Sequence, residues 1–540
     1  MTRTTAVRKY GKPIKKSRAE QLFAELPKSP IKENKPATEP EPEDGPDESL
    51  REIAERLLAV TLEEKTPVEA VDGIAASPTP LPTPRVTKHI DPQTPASLAE
   101  EEEGELQGED LRILTWDDVC PFGDRIEKIA EASYAEIYRI TNERGTSIIK
   151  TIRLESPIKA QTKAQERSGL VDEEPHSEDD LRGELKISEW LADIPGFVVY
   201  KERYVVRGKA PKALLETHQT FHRKMKRKDP DRLQFYPSPS RYLDDTKFLV
   251  VELGDAGTAL EDFELHSVDQ LWDIFLHTAI ALARAEDLVR FEHRDLHEGN
   301  LCIRQVKPAK PKTDDSLSQF GYSGLEITVL DYGLSRAEDP DLGDGDADPN
   351  PVAYDLEKDL SIFTSTHAAQ CRVYRQMRSF LLKGDRAHLP PQAHNTPYAY
   401  AAGIDGPGTG NPVSWAPHFP YTNVLWLAYT YQYLVGHFKG DKKALAAFKR
   451  TTKELLAHLD PEAPRNILSF PSACDVVRYA AEAGWITEEQ LMGDRSRMDD
   501  YGSEMGSVVA HNESIIEEVD GASHLRRSPR RAAVQCARGM

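Results

Sequence analysis

Paired cysteines are missing from this 540-residue sequence. Its five cysteines, Cys120, Cys302, Cys371, Cys474 and Cys536, stand far apart, and no two share a CxxC spacing. That argues against a structural zinc cluster and fits reduced thiols in a cytosolic or nuclear protein. Long apolar runs are missing too. No stretch reaches the ~18 consecutive apolar residues of a membrane span, and the polar, basic N-terminus lacks the apolar segment of a secretory signal. Neither membrane contact nor export is expected. Positive charge is in deficit: 69 Lys and Arg stand against 90 Asp and Glu, a formal net charge of −21. The balance argues against a general nucleic-acid binder and suits a chain that receives a basic partner. Apolar residues make up only 39% and the mean hydropathy is −0.57, so part of the chain should lack a core.

The coreless parts are at the ends. Residues 1–110 read as a disordered tail, first basic (Arg3, Arg8, Lys9, Lys12, Lys15, Lys16, Arg18), then acidic and Pro-rich, as in Glu39-Pro-Glu-Pro-Glu-Asp44 and Glu100 to Glu103. Ser-Pro and Thr-Pro pairs such as Ser77-Pro78 recur, and Leu50 to Leu62 is patterned for a short helix. Residues 496–540 form a second such tail, ending in Arg526-Arg527-Ser-Pro-Arg530-Arg531. A solvated linker is the plain reading of both tails, and a basic arm touching nucleic acid is the sharper one.

Between the tails, residues 111–495 carry the periodicity of a folded domain. Ser147 to Ile152, Phe248 to Glu252 and Ile327 to Leu330 are short apolar runs bounded by polar residues, the pattern of buried strands. Asp179 to Leu191, Trp426 to Phe438 and Lys443 to Leu459 read as helices. Ser267-x-x-Gln270 is a capping box opening a helix through Ala283. Strands come first and helices dominate later. The fold class is therefore α+β, a β-rich N-lobe over about 111–253 and a helical C-lobe over about 254–495.

Four motifs point to phosphoryl transfer. His293-Arg-Asp295-Leu-His297-Glu-Gly-Asn300 places an Asp and an Asn five apart on a loop between a helix and a short strand. Asp295 there can take the proton of an attacking hydroxyl, and Asn300 can hold a metal ion against phosphates. Asp331-Tyr-Gly333 follows a buried strand, a position where a carboxylate suits Mg²⁺. Lys150, on a strand with apolar neighbours, suits the α- and β-phosphates and needs a glutamate partner on a helix: Glu184, or Glu189 if the helix register differs. Ile129, Ala130, Ala132, Ala135 and Ile137 occupy the pattern GxGxxGxV of a phosphate-covering loop, with alanine at every glycine position. Alanine lets such a hairpin form but is expected to stiffen it, because glycine's positive φ and close backbone approach are lost.

With these residues assembled, the segment from about Leu114 to Met492 resembles the haspin family of atypical eukaryotic protein kinases, and its fungal members in particular. The resemblance rests on Phe291 to Asn300, on Asp331-Tyr-Gly-Leu-Ser-Arg336, on Gly208-Lys-Ala-Pro-Lys-Ala-Leu-Leu as an insertion before the hinge strand, and on Pro420-Tyr-Thr-Asn-Val-Leu-Trp-Leu427 as a helix start. It implies a bilobal, monomeric serine/threonine kinase using ATP and Mg²⁺, with Glu252, Leu253 and Gly254 as the hinge that meets the adenine. It also implies a nuclear, chromosome-associated enzyme that phosphorylates a threonine near the start of histone three during mitosis. His297 stands where most kinases carry a catalytic-loop lysine, and could touch the transferring phosphate. Arg372 falls where an aspartate is expected to brace that loop.

Asp341, Asp344, Asp346, Asp348, Asp355, Glu357 and Asp359 follow the metal carboxylate closely. They suit the Arg and Lys of a histone tail or another basic peptide. The resemblance singles out Asp355 and Asp359 as substrate-binding. Two other readings stay open on the residues alone: a kinase-fold scaffold of weak activity tethered to chromatin, and a small-molecule phosphotransferase of the aminoglycoside or choline type.

Overall fold

The computed structural model describes residues 111–492, apart from 133, 168–171, 173, 231, 233, 235, 314–317, 340–350 and 402–410. The tails 1–110 and 496–540, the helix expected over 50–62, Cys536 and the acids Asp341, Asp344, Asp346 and Asp348 lie outside the described residues.

The N-terminal half is organised by one sheet. In chain order come β1 (Ile113–Leu114), α1 (Trp116–Val119), β2 (Arg125–Glu131), β3 (Glu136–Asn142), β4 (Gly145–Arg153), α2 (Lys163–Arg167), α3 (Glu178–Leu191), β5 (Tyr200–Arg207), α4 (Lys212–Lys228) and β6 (Lys247–Gly254). The six strands lie in the order β1-β5-β6-β4-β3-β2, antiparallel except for β1 on β5. Side chains of β4 alternate between two faces. Ile149 points into a core with Trp116, Tyr138, Tyr204, Leu214 and Phe248, which α1 and α4 cover. Ile152 points the other way, to Tyr134, Ala135, Leu181 and Leu249, where α3 packs. The same alternation sets Lys150 on the α3 face, between Ile148 and Ile152.

The C-terminal half continues with β7 (Thr258–Ala259), α5 (Val268–Val289), β8 (Leu301–Gln305), β9 (Leu325–Val329), β10 (Arg336–Ala337), β11 (Val352–Ala353), α6 (Ser361–Thr364), α7 (Gln370–Lys383), α8 (Tyr421–His437), α9 (Lys442–Thr451), α10 (Lys453–Leu459), α11 (Ala473–Glu482) and α12 (Glu488–Met492). The capping box forms as the spacing predicts: Ser267 Oγ accepts from the helix amides, and Gln270 Oε1 accepts from Ser267 N at 2.9 Å. Helix α5 runs six residues past Ala283, ending where Arg290 turns left-handed at φ 47°. It is buried on most sides, with Trp272, Phe275 and Leu276 packed among Trp426, Tyr431 and Phe448. The single helix expected over 443–459 is two. Thr452 breaks it: buried, its hydroxyl donates back to Phe448 O at 2.8 Å and meets Tyr431 Oη at 2.6 Å, and such back-bonding competes with the helix ladder.

The architecture is the α+β, two-lobed one, with β7, β8 and β9 forming a separate three-stranded sheet. Among the described residues no helix is long and apolar enough to cross a membrane, and Cys120, Cys302, Cys371 and Cys474 are all free thiols.

Candidate active site

The loop between α5 and β8 is held from three directions. His293 Nε2 meets Leu330 O at 2.9 Å, and its Nδ1 accepts from Asp295 N at 3.2 Å. Burial pulls this imidazole down to about 4, so it stays neutral. The fully buried Glu292 accepts from Phe419 N at 2.6 Å, Thr422 Oγ1 at 2.9 Å and Arg294 Nε at 3.0 Å. Asn423 Oδ1 accepts from His293 N at 3.0 Å, while its Nδ2 donates to Phe291 O and Glu286 Oε1, each at 2.9 Å.

The brace expected near 372 is therefore elsewhere. Arg372 is half exposed and pairs with Glu462. Asn423, inside the segment Pro420 to Leu427, does the bracing with Glu292. Helix α7 still reaches the loop, two positions on: Tyr374 Oη donates to Asp295 Oδ1. Sequence reading missed Tyr374, Asn423 and Glu292. The signal for Asn423 was the polar pair Thr422-Asn423 in an otherwise apolar helix start.

Asp295 sits at the centre. Its backbone oxygen accepts from Asn300 Nδ2 at 2.8 Å and from His297 N at 3.0 Å. His297 Nε2 lies 4.0 Å from its carboxylate, while His297 Nδ1 accepts from Gly299 N at 3.0 Å. Burial pushes the Asp295 carboxyl up to about 6, against the pull of His297 and the Tyr374 hydroxyl. That is closer to the range where a carboxylate exchanges protons at working pH. Because Asn300 spends its NH₂ group on Asp295 O, its amide oxygen is the atom left to meet a cation.

Asp331 follows β9 with φ 61°, a left-handed conformation that a non-glycine residue keeps only when its surroundings hold it. Its Oδ1 accepts from Gly333 N at 3.2 Å. Tyr332 turns inward, donating to Val329 O at 3.0 Å and packing on the rings of Phe197, Phe291 and His293. Opposite, Lys150 Nζ forms an ion pair with Glu184 of α3. Glu189 is not the partner, since it pairs with Arg203 at 2.5 Å. Burial draws the Lys150 ammonium down, and the Asp331 carboxylate works against that. A β-carbon at Gly333 would lie 3.3 Å from Asp331 Oδ1, 3.4 Å from Tyr134 Oη and 3.8 Å from Glu184 Oε2. These groups, on four different elements, converge on one small volume.

Above it stands the β2–β3 hairpin. Ala130 pairs with Ile137 and Glu131 with Glu136, and Ala132 N donates to Ala135 O at 2.8 Å. None of Ala130, Ala132 and Ala135 has positive φ. Alanine is therefore accommodated without left-handed strain, and Ala135 gains a place in the core. Ile129 and Ile137 are half-buried. Tyr134, at the tip, folds inward so that its hydroxyl lies 3.3 Å from Lys150 Nζ, which stands 4.6 Å from the ring centre. It was not foreseen as a site residue.

The hinge needs a correction. Glu252 is fully buried within β6 and accepts from Ser147 Oγ at 2.6 Å. Leu253 and Gly254 still pair with β4. The chain leaves the sheet after Gly254, and 253 to 257 are only half-buried. The border of the cleft is therefore Leu253 to Gly257, with Glu252 behind it. Gly257 has φ +94°, and a β-carbon there would fall 2.5 Å from Ile303 O, so only glycine fits.

Asp355 accepts from Glu357 N at 3.0 Å and from Tyr398 Oη at 2.8 Å, and Asp359 from Ser361 N at 2.9 Å. Both cap turns downstream of Asp331. A cavity of about 780 Å³ against Phe380, Tyr421 and Phe470 is lined by none of Lys150, Glu184, Asp295, Asn300 and Asp331.

The donor set fits Mg²⁺ with a nucleotide. Asn300 and Asp331 offer hard oxygen ligands, and the described residues hold no cluster of three or more His, Cys, Asp or Glu placed to grip a metal. Mg²⁺ takes the rest of its shell from phosphates and water rather than from an all-protein cage.

Two lobes about such a cleft define a protein kinase. Within that class, the family model for the haspin like kinase domain matches residues 103–475, and the chain belongs to that family. It is 26% identical over 398 residues to the serine/threonine-protein kinase haspin homolog hrk1 of Schizosaccharomyces pombe, covering 68% of each chain. To the serine/threonine-protein kinase haspin of Mus musculus it is 27% identical over 411 residues, 74% of this chain and 46% of the mouse one. The Arabidopsis thaliana haspin homolog is 24% identical over 342 residues, 62% and 47% of the two chains. The chain is a serine/threonine kinase, and the small-molecule phosphotransferase reading falls with that.

Proposed function

We propose that this kinase uses ATP with Mg²⁺ to phosphorylate a threonine near the start of the histone three tail, during mitosis, on chromosomes in the nucleus. The observation that carries the reading is Asp295, held between the Tyr374 hydroxyl and the Asn300 amide and within electrostatic reach of His297 and Asp331. When bound, Mg²⁺–ATP supplies the γ-phosphoryl group and neutralises part of its charge. The chain's own residues do the rest. Lys150, kept in place by Glu184, would hold the nucleotide's α- and β-phosphates. Asn300 and Asp331 would supply the metal's protein oxygens. Leu253 to Gly257 would border the adenine. Asp295 orients the threonine hydroxyl and accepts its proton, with His297 alongside. The gain comes from positioning and from charge stabilisation.

A basic substrate fits the charges around this cleft. Glu261 lies within electrostatic reach of Asp262, His297 and Glu298, and Asp355 and Asp359 stand downstream of Asp331. Carboxylates such as these favour Lys, Arg and a free amine. In the full chain, Asp295→Asn should lower kcat on a histone three peptide by roughly 10²–10⁴-fold, the usual worth of a general base. The dissociation constant for ATP should stay nearly unchanged. Turnover equal to that of the unaltered chain would sink the assignment. Preserved labelling of a peptide without its threonines would sink the substrate.

A further inference from the structure

Two glutamates face each other at the mouth of the β2–β3 hairpin. Glu131 and Glu136 are the last register pair before the turn, and their carboxylates are almost wholly buried, 1% and 4% exposed. Two buried like charges side by side are costly unless each is paired. Here the partners come from the hairpin strands themselves and from α4 with the residues after it. Lys128 Nζ lies 2.7 Å from Glu131 Oε1 and also bonds Glu136. His218 Nδ1, on α4, lies 3.2 Å from Glu136 Oε1, and His222 Nε2 lies 3.2 Å from Glu131 Oε1. Arg232, after α4, donates to Glu131 at 3.1 Å, and the Tyr138 and Tyr242 hydroxyls donate to Glu136 at 3.1 and 3.2 Å. The Lys128 ammonium stands near the rings of Phe221 and Tyr236, 5.2 and 5.4 Å from their centres. These partners outweigh burial and hold Glu136 down at about 2, with Glu131 lower still. The cluster stays charged and balanced.

Two further bonds seize the hairpin backbone. Thr217 Oγ1 of α4 accepts from Lys128 N at 2.7 Å, where β2 bulges. Tyr236 Oη donates to Ala132 O at 2.5 Å, at the turn itself. Among the described residues, these bonds run to the hairpin and to its glutamates, and not to Lys150, Asp295, Asn300 or Asp331. The hairpin, lacking glycine at 130, 132 and 135, is instead tied down from its outer face.

We infer that α4, together with Arg232 and Tyr236, is a clamp that positions the hairpin over the nucleotide phosphates. Thr217 and Tyr236 are its positioning residues, and the Lys128–Glu131–Glu136 cluster is its anchor. The inference rests on reading this hairpin as the phosphate cover. A fixed hairpin needs no glycine to close and loses less freedom when nucleotide binds. Nucleotide affinity thereby depends on side chains that never touch it.

The test uses the full chain with Thr217→Val, Tyr236→Phe and the double variant. Each removes one bond to the hairpin backbone and leaves the charged cluster intact. Three quantities are read: ADP dissociation constant by calorimetry, amide exchange of residues 130–137 without nucleotide, and KM for ATP against kcat and peptide KM. The double variant should weaken ADP binding and raise KM for ATP by about tenfold, as the loss of two ordinary hydrogen bonds allows. Hairpin amides should exchange faster, while kcat and peptide KM change by much less. Unchanged exchange overturns the clamp. Faster exchange with unchanged ADP affinity overturns the reading of the hairpin as phosphate cover. An equal decline in ATP affinity, peptide affinity and thermal midpoint marks a merely structural role and also overturns the clamp. If the double variant fails to fold, either single variant decides by the same readings with about a threefold change.

Discussion

Asp355 and Asp359 do local work before they meet any substrate. Each holds a turn by accepting from an amide two residues on, at 3.0 and 2.9 Å. Alanine there would remove the turn and the charge together, whereas asparagine keeps a capping oxygen. Asp355→Asn with Asp359→Asn should therefore preserve the fold and raise peptide KM by roughly three- to tenfold, the worth of two partly exposed ion pairs. KM for ATP should not move, and an unchanged peptide KM would remove both residues from the substrate site. Position 423 shows why the brace escaped notice. A carboxylate could accept from His293 N, but only an amide also donates to Phe291 O and Glu286. Both neighbours belong to other parts of the chain, so nothing near residue 423 announces them. Lys150, Glu184, Asp295, Asn300 and Asp331 were legible because each motif is local. Whether Glu184 or Glu189 faced Lys150 depended on the rotation of α3 against β4, which spacing along the chain leaves open.

At the scale of elements, α5 is the beam on which the catalytic loop is mounted. It is legible from its cap: Ser267 and Gln270 form the reciprocal pair that the S-x-x-Q spacing requires. Ser267→Ala should cost about 1 kcal/mol, and Ser267→Gly only a few tenths. Urea unfolding of the three chains checks this, and equal midpoints for Ser and Ala would show the cap to be idle. The far end of α5 was less legible. Residues 284 to 289 mix charged with apolar side chains, and the helix continues because Ala285, Glu286 and Val289 are buried against α8 and α11. The break at Thr452 was hidden for a similar reason. Threonine alone does not stop a helix; its buried hydroxyl and the Tyr431 contact do. Alanines at 130, 132 and 135 suggested a stiff hairpin. The structure relocates that question from φ angles, which are ordinary there, to α4, a helix whose contact with the hairpin no local pattern betrays.

For the molecule as a whole, Glu286 links the catalytic loop to the packing of α11 and gives stability a pH dependence. Burial pushes it up from 4.5 to about 7, although Asn423 Nδ2 and the amides of Ala473 and Cys474 donate to it. Below its unfolded value the carboxyl is protonated in both states. As pH rises toward 7 the unfolded chain ionises first, so stability falls; above about 7 both states are ionised and the loss is constant. Between about pH 5 and pH 8 the unaltered chain should lose about 2–3 kcal/mol more than Glu286→Gln. Parallel urea titrations at the two pH values would show it, and identical slopes would refute it. By itself the sequence determined the two-lobed α+β class and the order of the phosphoryl-transfer motifs. Those depend on strand and helix periodicity and on a few residue types at fixed short spacings, all written locally. Only the tertiary structure decided that Asn423 braces the loop, that Tyr374 holds Asp295, that the chain leaves β6 after Gly254, and that α4 reaches the hairpin. Each of these is a contact between distant segments, set by strand register and helix rotation, where a shift of one residue turns a side chain to the opposite face.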